Sequence, residues 1–141
     1  MEQSKKFGNK LSNLEKSVSQ FEDSLKIKLD KLNPVEQDAV MNGQIQKFEI
    51  CIELCWKTIQ SFLEEEHGIE TVSPKTSIKE YYGINLIDDK EYELLIQMVE
   101  DRNKLSHIYN EMFFNEIHSH LSSYLTTFKI ILNSLKKSNT N

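Results

Sequence analysis

The chain has 141 residues, of which 38% are hydrophobic, and it suits one domain with a core of its own. Its formal net charge of −5 excludes a protein coated in basic surface, and its four glycines and two prolines are too few for a many-turned β-sandwich or barrel. No segment resembles a signal peptide or a membrane span, which predicts a cytoplasmic protein.

The first half of the chain predicts two long helices. Apolar residues alternate at spacings of four and three, as on the packed face of a bundle helix. They are Phe7, Leu11, Leu14, Val18, Phe21 and Leu25. The stretch "KLNPVEQ" then breaks the pattern, with Asn33 as a helix cap and Pro34 in the first turn of the next helix. That second helix is expected to end at Gly68, and its two cysteines, Cys51 and Cys55, are interpreted as reduced core residues.

The second half predicts a short connector helix and two further long helices. The connector, "TSIKEYYG", ends at Gly83, and Asp88 caps the third long helix, "DKEYELLIQMVEDRNKLSH". A fourth helix follows "IYNEMF" and frays into the polar tail "KKSNTN". The chain is therefore predicted to be all-α, an antiparallel up-and-down four-helix bundle with a short extra connector helix. One domain is expected over residues 1–141, with a core at about 5–136 and a disordered polar C-terminal tail.

Arg102 is the only arginine in a chain with sixteen lysines. A planar, permanently charged donor at this position indicates a site for a carboxylate or a phosphate. The alternative is a structural ion pair with Glu100, Asp101 or a carboxylate on a neighbouring helix. The charge balance changes sign here, from about −10 over residues 34–101 to about +3 over residues 102–141. Any contact with nucleic acid is therefore expected to be local.

Arg102 and His107 diverge by about 140° if the helix continues unbroken, whereas Asn103 lies almost directly under His107. Joint action of Arg102 and His107 then needs a bend near His107 or a second copy of the chain. A symmetric homodimer would bring two arginines and two histidines into one cleft. That set suits metal-free RNA cleavage, in which imidazoles transfer protons and arginine neutralises the phosphorane. The alternative is that both are ordinary structural residues at a helix end.

The pattern of Arg102, four residues, His107, one residue and Tyr109, with polar Asn103 after the arginine, resembles the signature of the HEPN superfamily. It is most similar to HepT-type proteins, also described as nucleotidyltransferase substrate-binding proteins. The stretches "QKFEICIELCWKTIQSFLEEEHG" and "SPKTSIKEYYGINLI" resemble the long second helix and the connector of that family. Together these matches are far more specific than the spacing of arginine and histidine alone.

This resemblance implies a bacterial toxin ribonuclease that is paired with a small nucleotidyltransferase antitoxin encoded nearby. By the same resemblance, Arg102 and His107 would be catalytic, Asn103 would support them, and the antitoxin would adenylylate Tyr109. The alternative is a non-catalytic subunit that presents a substrate to a separate nucleotidyltransferase. Both functions use Arg102, but only acid–base cleavage needs the titrating group of His107.

No metal or cofactor is expected. Cys51, Cys55 and His67 lack further partners for tetrahedral zinc, and His118 and His120 point to different sides of a helix. The chain also has no Gly-Ser element followed by paired aspartates, so we do not expect it to transfer nucleotides itself. The expected partners are RNA, the antitoxin and further copies of this chain, as a homodimer or higher oligomer, and no membrane.

Overall fold

The computed structural model describes residues 2–107 and 110–139, and these ranges contain α-helices, one 3₁₀ turn at Leu29–Lys31 and no strand. The helices are α1 (Glu2–Leu25), α2 (Pro34–His67), α3 (Pro74–Gly83), α4 (Asp89–His107), α5 (Glu111–Ser119) and α6 (Leu121–Asn139). This confirms the all-α bundle and the connector helix, which is α3. None of the helices in these ranges combines the length and the apolar character needed to cross a membrane.

Local capping sets the helix boundaries that were predicted from the sequence. At the start of α2, the side chains of Asn33 and Glu36 each accept a hydrogen bond from the backbone N–H of the other residue. Asp88 and Glu91 form the same reciprocal pair before α4. Gly68 ends α2 with a φ of 64°, a conformation that costs a glycine little.

Contacts at both ends of α1 show that it runs antiparallel to α2. The backbone N–H of Phe7 donates to Glu65 Oε1 at 3.3 Å, whereas Gln44 Nε2 donates to the carbonyl of Ser24 at 2.8 Å. The start of each helix therefore lies beside the end of the other.

The last helix, α6, also runs antiparallel to α1. Glu22 pairs with Lys129, and Glu15, earlier in α1, pairs with Lys136, later in α6. Four long helices, α1, α2, α4 and α6, thus surround one core.

The predicted apolar faces form that core. Phe21 meets Phe128 with ring centroids 6.0 Å apart, and Phe48 stacks on Tyr124 at 5.3 Å. Cys51 and Cys55 are free and buried, and burial raises the pKa of the Cys51 thiol to about 12. The cysteines are therefore core residues, as predicted.

The fourth long helix differs from the prediction at both ends. Asn110 caps a separate short helix, α5, by accepting hydrogen bonds from the backbone of Met112 and Phe113. A tight turn then separates α5 from α6, because the His120 N–H bonds the carbonyl of Ile117 at 3.0 Å. At the other end α6 continues to Asn139, so the first four residues of the predicted frayed tail are helical.

A buried hydrogen bond joins α4 to α6. The Tyr124 hydroxyl donates to Asp101 Oδ2 at 2.5 Å, and Gln97 Nε2 donates to Oδ1 at 2.8 Å. Burial and the hydrogen bond to the Asp101 carboxylate raise the pKa of Tyr124, which keeps the phenol protonated as a donor. Because only 5% of Asp101 is exposed, water cannot replace a lost donor freely.

We predict that Tyr124→Phe lowers the free energy of unfolding by about 1–3 kcal/mol, because a buried carboxylate loses a hydrogen-bond donor. Urea denaturation followed by circular dichroism measures this. The matched control is Tyr82→Phe, since the Tyr82 hydroxyl bonds Asp89 at an exposed position. It should leave the urea midpoint at its wild-type value, and equal losses in the two variants would contradict the role of the buried pair.

Candidate functional site

The end of α4 carries three of the four residues singled out in the sequence. The helix is continuous through His107, without the bend that would bring Arg102 and His107 together in one chain. Their side chains therefore leave the helix axis about 140° apart. Tyr109 lies outside the described residues.

Arg102 faces α2 and pairs with a carboxylate there. Its Nε lies 3.6 Å from Glu53 Oε2, and its Nη1 donates to Ser106 Oγ at 3.5 Å. The Nε atom is buried, and no described group hydrogen-bonds it, so the charge of Glu53 compensates this N–H. The guanidinium thus makes an ion pair with a neighbouring helix, one of the two alternatives left open by the sequence, and it keeps 36% of its side chain exposed.

Glu53 had no predicted role, yet it contacts three basic or donor side chains. Trp56 Nε1 donates to its Oε2 at 3.2 Å, and Lys57 Nζ lies 3.2 Å from its Oε1. Burial raises the pKa of Glu53, but the hydrogen bonds from Trp56 and Lys57 and the charge of Arg102 outweigh burial and lower it overall. The spacing of Glu53, Trp56 and Lys57 on one helix face was the signal in the sequence.

A second carboxylate, Glu49, lies one helical turn before Glu53. Burial raises the pKa of Glu49, and the positive charge of Arg102 opposes only part of this rise. Arg102 therefore has two acidic side chains on its α2 side, and both would compete with any other anion for its charge.

A cavity of about 200 Å³ opens beside Arg102, between α2, the start of α3 and α4. We call it the Arg102 cavity. It is lined by Ile52, Glu53, Trp56, Pro74, Val99, Arg102 and Asn103. It combines apolar walls with one cation, one carboxylate and one amide.

His107 is exposed at the end of α4 and has no described partner. At about 100° per residue, Asn103 lies nearest to it around the helix, and Lys104 is the nearest basic residue of α4. The ammonium of Lys104 sits 5.0 Å from the ring centroid of Phe113 on α5. The imidazole of His107 is therefore open to solvent at the end of α4.

The other histidines make no metal site. His118 Nε2 bonds Gln44 Oε1 at 2.6 Å, whereas His120 is exposed near Tyr124, so the two diverge as predicted. His67 packs against Phe62. Within residues 2–107 and 110–139 no group of three or more His, Cys, Asp or Glu residues is placed to hold a metal ion.

The sequence pattern of one protein family, described as nucleotidyltransferase substrate binding protein like, matches residues 9–137. This chain belongs to that family. A solved structure from Thermus thermophilus is similar to it: the two are 32% identical, with a TM-score of 0.73, over 86% of this chain and 98% of the other. No curated protein matches the chain in sequence.

Solved structures of lower sequence identity share the fold of this chain. A tri-AMPylated Shewanella oneidensis HEPN toxin in complex with an MNT antitoxin is 19% identical, with a TM-score of 0.71, over 93% of this chain and 96% of the other. A Haemophilus influenzae structure, described as the fold of a substrate binding domain of a nucleotidyltransferase, is 23% identical. Its TM-score is 0.67, over 94% of this chain and 98% of the other.

We predict that Glu53→Ala releases the guanidinium of Arg102. Because the chain has one arginine, its Nε–H gives a single arginine resonance in a ¹H–¹⁵N NMR spectrum. In Glu53→Ala this resonance should move toward the position of a free arginine and exchange faster with water, since the buried Nε–H has lost its ionic partner. Glu100→Ala is the control, because Glu100 pairs with Lys75. An unchanged resonance in Glu53→Ala would show that Glu53 does not hold Arg102.

Proposed function

We propose that this protein is the toxin of a HEPN/minimal-nucleotidyltransferase toxin–antitoxin pair and acts in the cytoplasm as a metal-independent endoribonuclease. The observation that carries this proposal is the end of α4, which presents an exposed His107 and a half-exposed Arg102 with its Nε turned inward. The fold shared with a HEPN toxin bound to an MNT antitoxin supports the proposal.

In this proposal His107 and Arg102 divide the chemistry of RNA cleavage. One imidazole removes the proton of a ribose 2′-hydroxyl, and the 2′-oxygen attacks the adjacent phosphorus. The bond from phosphorus to the 5′-oxygen breaks, a second imidazole protonates that oxygen, and a 2′,3′-cyclic phosphate remains. Arg102 neutralises the charge that develops on the phosphorane. Histidine suits both steps, because a neutral imidazole has one nitrogen that accepts a proton and an imidazolium has two that donate.

A second copy of the chain completes the site. Because α4 is one continuous helix through His107, one copy directs Arg102 and His107 to different sides. A two-fold axis at the end of α4 would place both residues of both copies in one cleft. It also supplies the second imidazole that the reaction needs. Asn103, almost under His107 on the helix, would support the imidazole or a phosphate oxygen.

The partner in this proposal is a small nucleotidyltransferase antitoxin encoded nearby, which silences the toxin by adenylylating Tyr109. Tyr109 follows His107 by two residues, so an attached AMP would add bulk and negative charge beside the cleft. Its phosphate would also compete for Arg102, because arginine binds phosphates well.

A second candidate function is a non-catalytic subunit that presents a substrate to a separately encoded nucleotidyltransferase. The family description and the Haemophilus influenzae structure favour it. Such a subunit needs the charge of Arg102 but no acid or base, so the two functions differ at His107.

We predict that Arg102→Ala and His107→Ala each reduce RNA cleavage by about a hundredfold or more while keeping the helical circular-dichroism signal. Mixing His107→Ala protein into wild type should lower the activity by more than dilution, because a mixed dimer keeps only one of the two imidazoles that the reaction needs. Chelators should leave the wild-type rate unchanged. Cleavage is measured on a fluorescent RNA strand.

Three results would contradict this form of the proposal. Activity that falls only by dilution in the mixture of wild type and His107→Ala, despite exchange of subunits, would argue against a shared cleft, and so would a strictly monomeric protein in light scattering. Wild-type protein that leaves RNA intact with and without its partner would favour the presenting subunit.

We predict that co-expression with the adjacent nucleotidyltransferase adds AMP to Tyr109, detected by intact mass and mapped by fragmentation. Tyr109→Phe should lose the label and remain toxic, because the phenol has no catalytic role in the proposal. Tyr81 and Tyr124 serve as internal controls, since both are buried and their hydroxyls are hydrogen-bonded. Labelling that persists in Tyr109→Phe would overturn the regulatory assignment.

A further inference from the structure

The Arg102 cavity holds the only tryptophan of the chain next to its only arginine. One carboxylate oxygen connects the two. Glu53 Oε2 accepts the Trp56 Nε1–H at 3.2 Å and lies 3.6 Å from Arg102 Nε. Because an indole and a guanidinium are both rigid planes, the hydrogen bond to the indole and the ion pair with the guanidinium restrict how both are oriented.

The size and walls of the Arg102 cavity suit a single flat ring. Its volume of about 200 Å³ is below the range of pockets for drug-sized ligands. Ile52, Val99 and Pro74 make its walls apolar, and Glu53 and Asn103 add a hydrogen-bond acceptor and an amide. A nucleobase has this character, with an apolar face and polar edges.

We propose that the Arg102 cavity is a nucleotide subsite that takes one unstacked base of single-stranded RNA. Trp56 stacks on the base, and the Nη groups of Arg102 bind the adjoining phosphate. The proposal rests on the proposed ribonuclease function and names how its substrate is held. It gives Trp56 a binding role and Glu53 a positioning role.

The charges around the Arg102 cavity indicate which contacts would supply the affinity for an RNA strand. Arg102 and Lys57 are balanced by Glu53 and Glu49 on the same side, so attraction from a distance is weak. Affinity must then come from stacking and from one close phosphate contact. For a single strand this predicts that log K falls with log of the salt concentration with a slope of about −0.7, the value for one neutralised phosphate.

The test uses the full chain and a fluorescein-labelled tetranucleotide of 2′-O-methyl RNA, which cannot be cleaved because its 2′-oxygen carries a methyl group. A matched strand has the same phosphates and abasic residues in place of bases. The base-bearing strand should quench the Trp56 emission, and the abasic strand should not. By fluorescence anisotropy the abasic strand should bind about tenfold more weakly, because it loses the stacking contact.

Three variants separate stacking from structural packing. Trp56→Leu should weaken binding of the base-bearing strand by about tenfold, and Trp56→Phe should retain most of the affinity because it keeps an aromatic face. Tyr92→Leu is the control, since Tyr92 is a half-buried aromatic residue of α4 that stacks on Tyr82 outside the cavity. It should bind like wild type. If Trp56→Leu fails to fold, Trp56→Phe and the abasic strand still show whether a base stacks on the side chain at position 56.

The proposal is overturned if the wild-type protein does not bind the base-bearing strand, or if it binds both strands equally. It is also overturned if Trp56→Leu folds and binds as tightly as Tyr92→Leu. If binding and quenching are as expected but wild-type protein leaves unmodified RNA intact, the ribonuclease function fails while the subsite stands.

Discussion

The hydrogen bond from Tyr124 to Asp101 sets the rotation of α4 about its own axis. A carboxylate and a phenol buried between two helices can meet only in one rotation, and any other leaves the phenol of Tyr124 and the Oδ2 atom of Asp101 without this bond, although Gln97 of the same helix still donates to Oδ1. With Asp101 directed to the core, the next residue, Arg102, turns by about 100° toward α2. His107, at the end of the same helix, then points to solvent. The arrangement of the candidate site thus follows from a bond that takes no part in its chemistry.

The ion pair between Glu53 and Arg102 explains how an acidic protein can keep one guanidinium oriented and partly exposed at its surface. The carboxylate lies 3.6 Å from the buried Nε of the guanidinium, while Nη1 donates to Ser106 and 36% of the side chain stays exposed. A lysine at position 102 has a single ammonium, which would point either to Glu53 or to a phosphate. Arginine can face both, because its donors lie on different edges of one plane. This geometry gives a physical reason for a single arginine among sixteen lysines.

Local signals in the sequence determined most helix boundaries. The cap at Asn33, the left-handed ending at Gly68 and the apolar spacing of α1 act over three or four residues, so their effect can be predicted without knowing the fold. The turn at His120 was missed for the opposite reason. The apolar residues on either side of it keep a helical spacing, so the pattern looks like one continuous helix.

The sequence by itself determined an all-α bundle and the presence of Arg102 and His107 on the last turns of one helix. Only the tertiary structure decided which carboxylate meets Arg102. Glu53 lies 49 positions away, and nothing in the sequence distinguished it as a partner from the other acidic residues. The same holds for Trp56, whose place beside Arg102 depends on how α2 packs against α4. Periodicity reports which face of a helix is buried, whereas the partner of a half-buried side chain depends on the rotation and depth at which two helices meet.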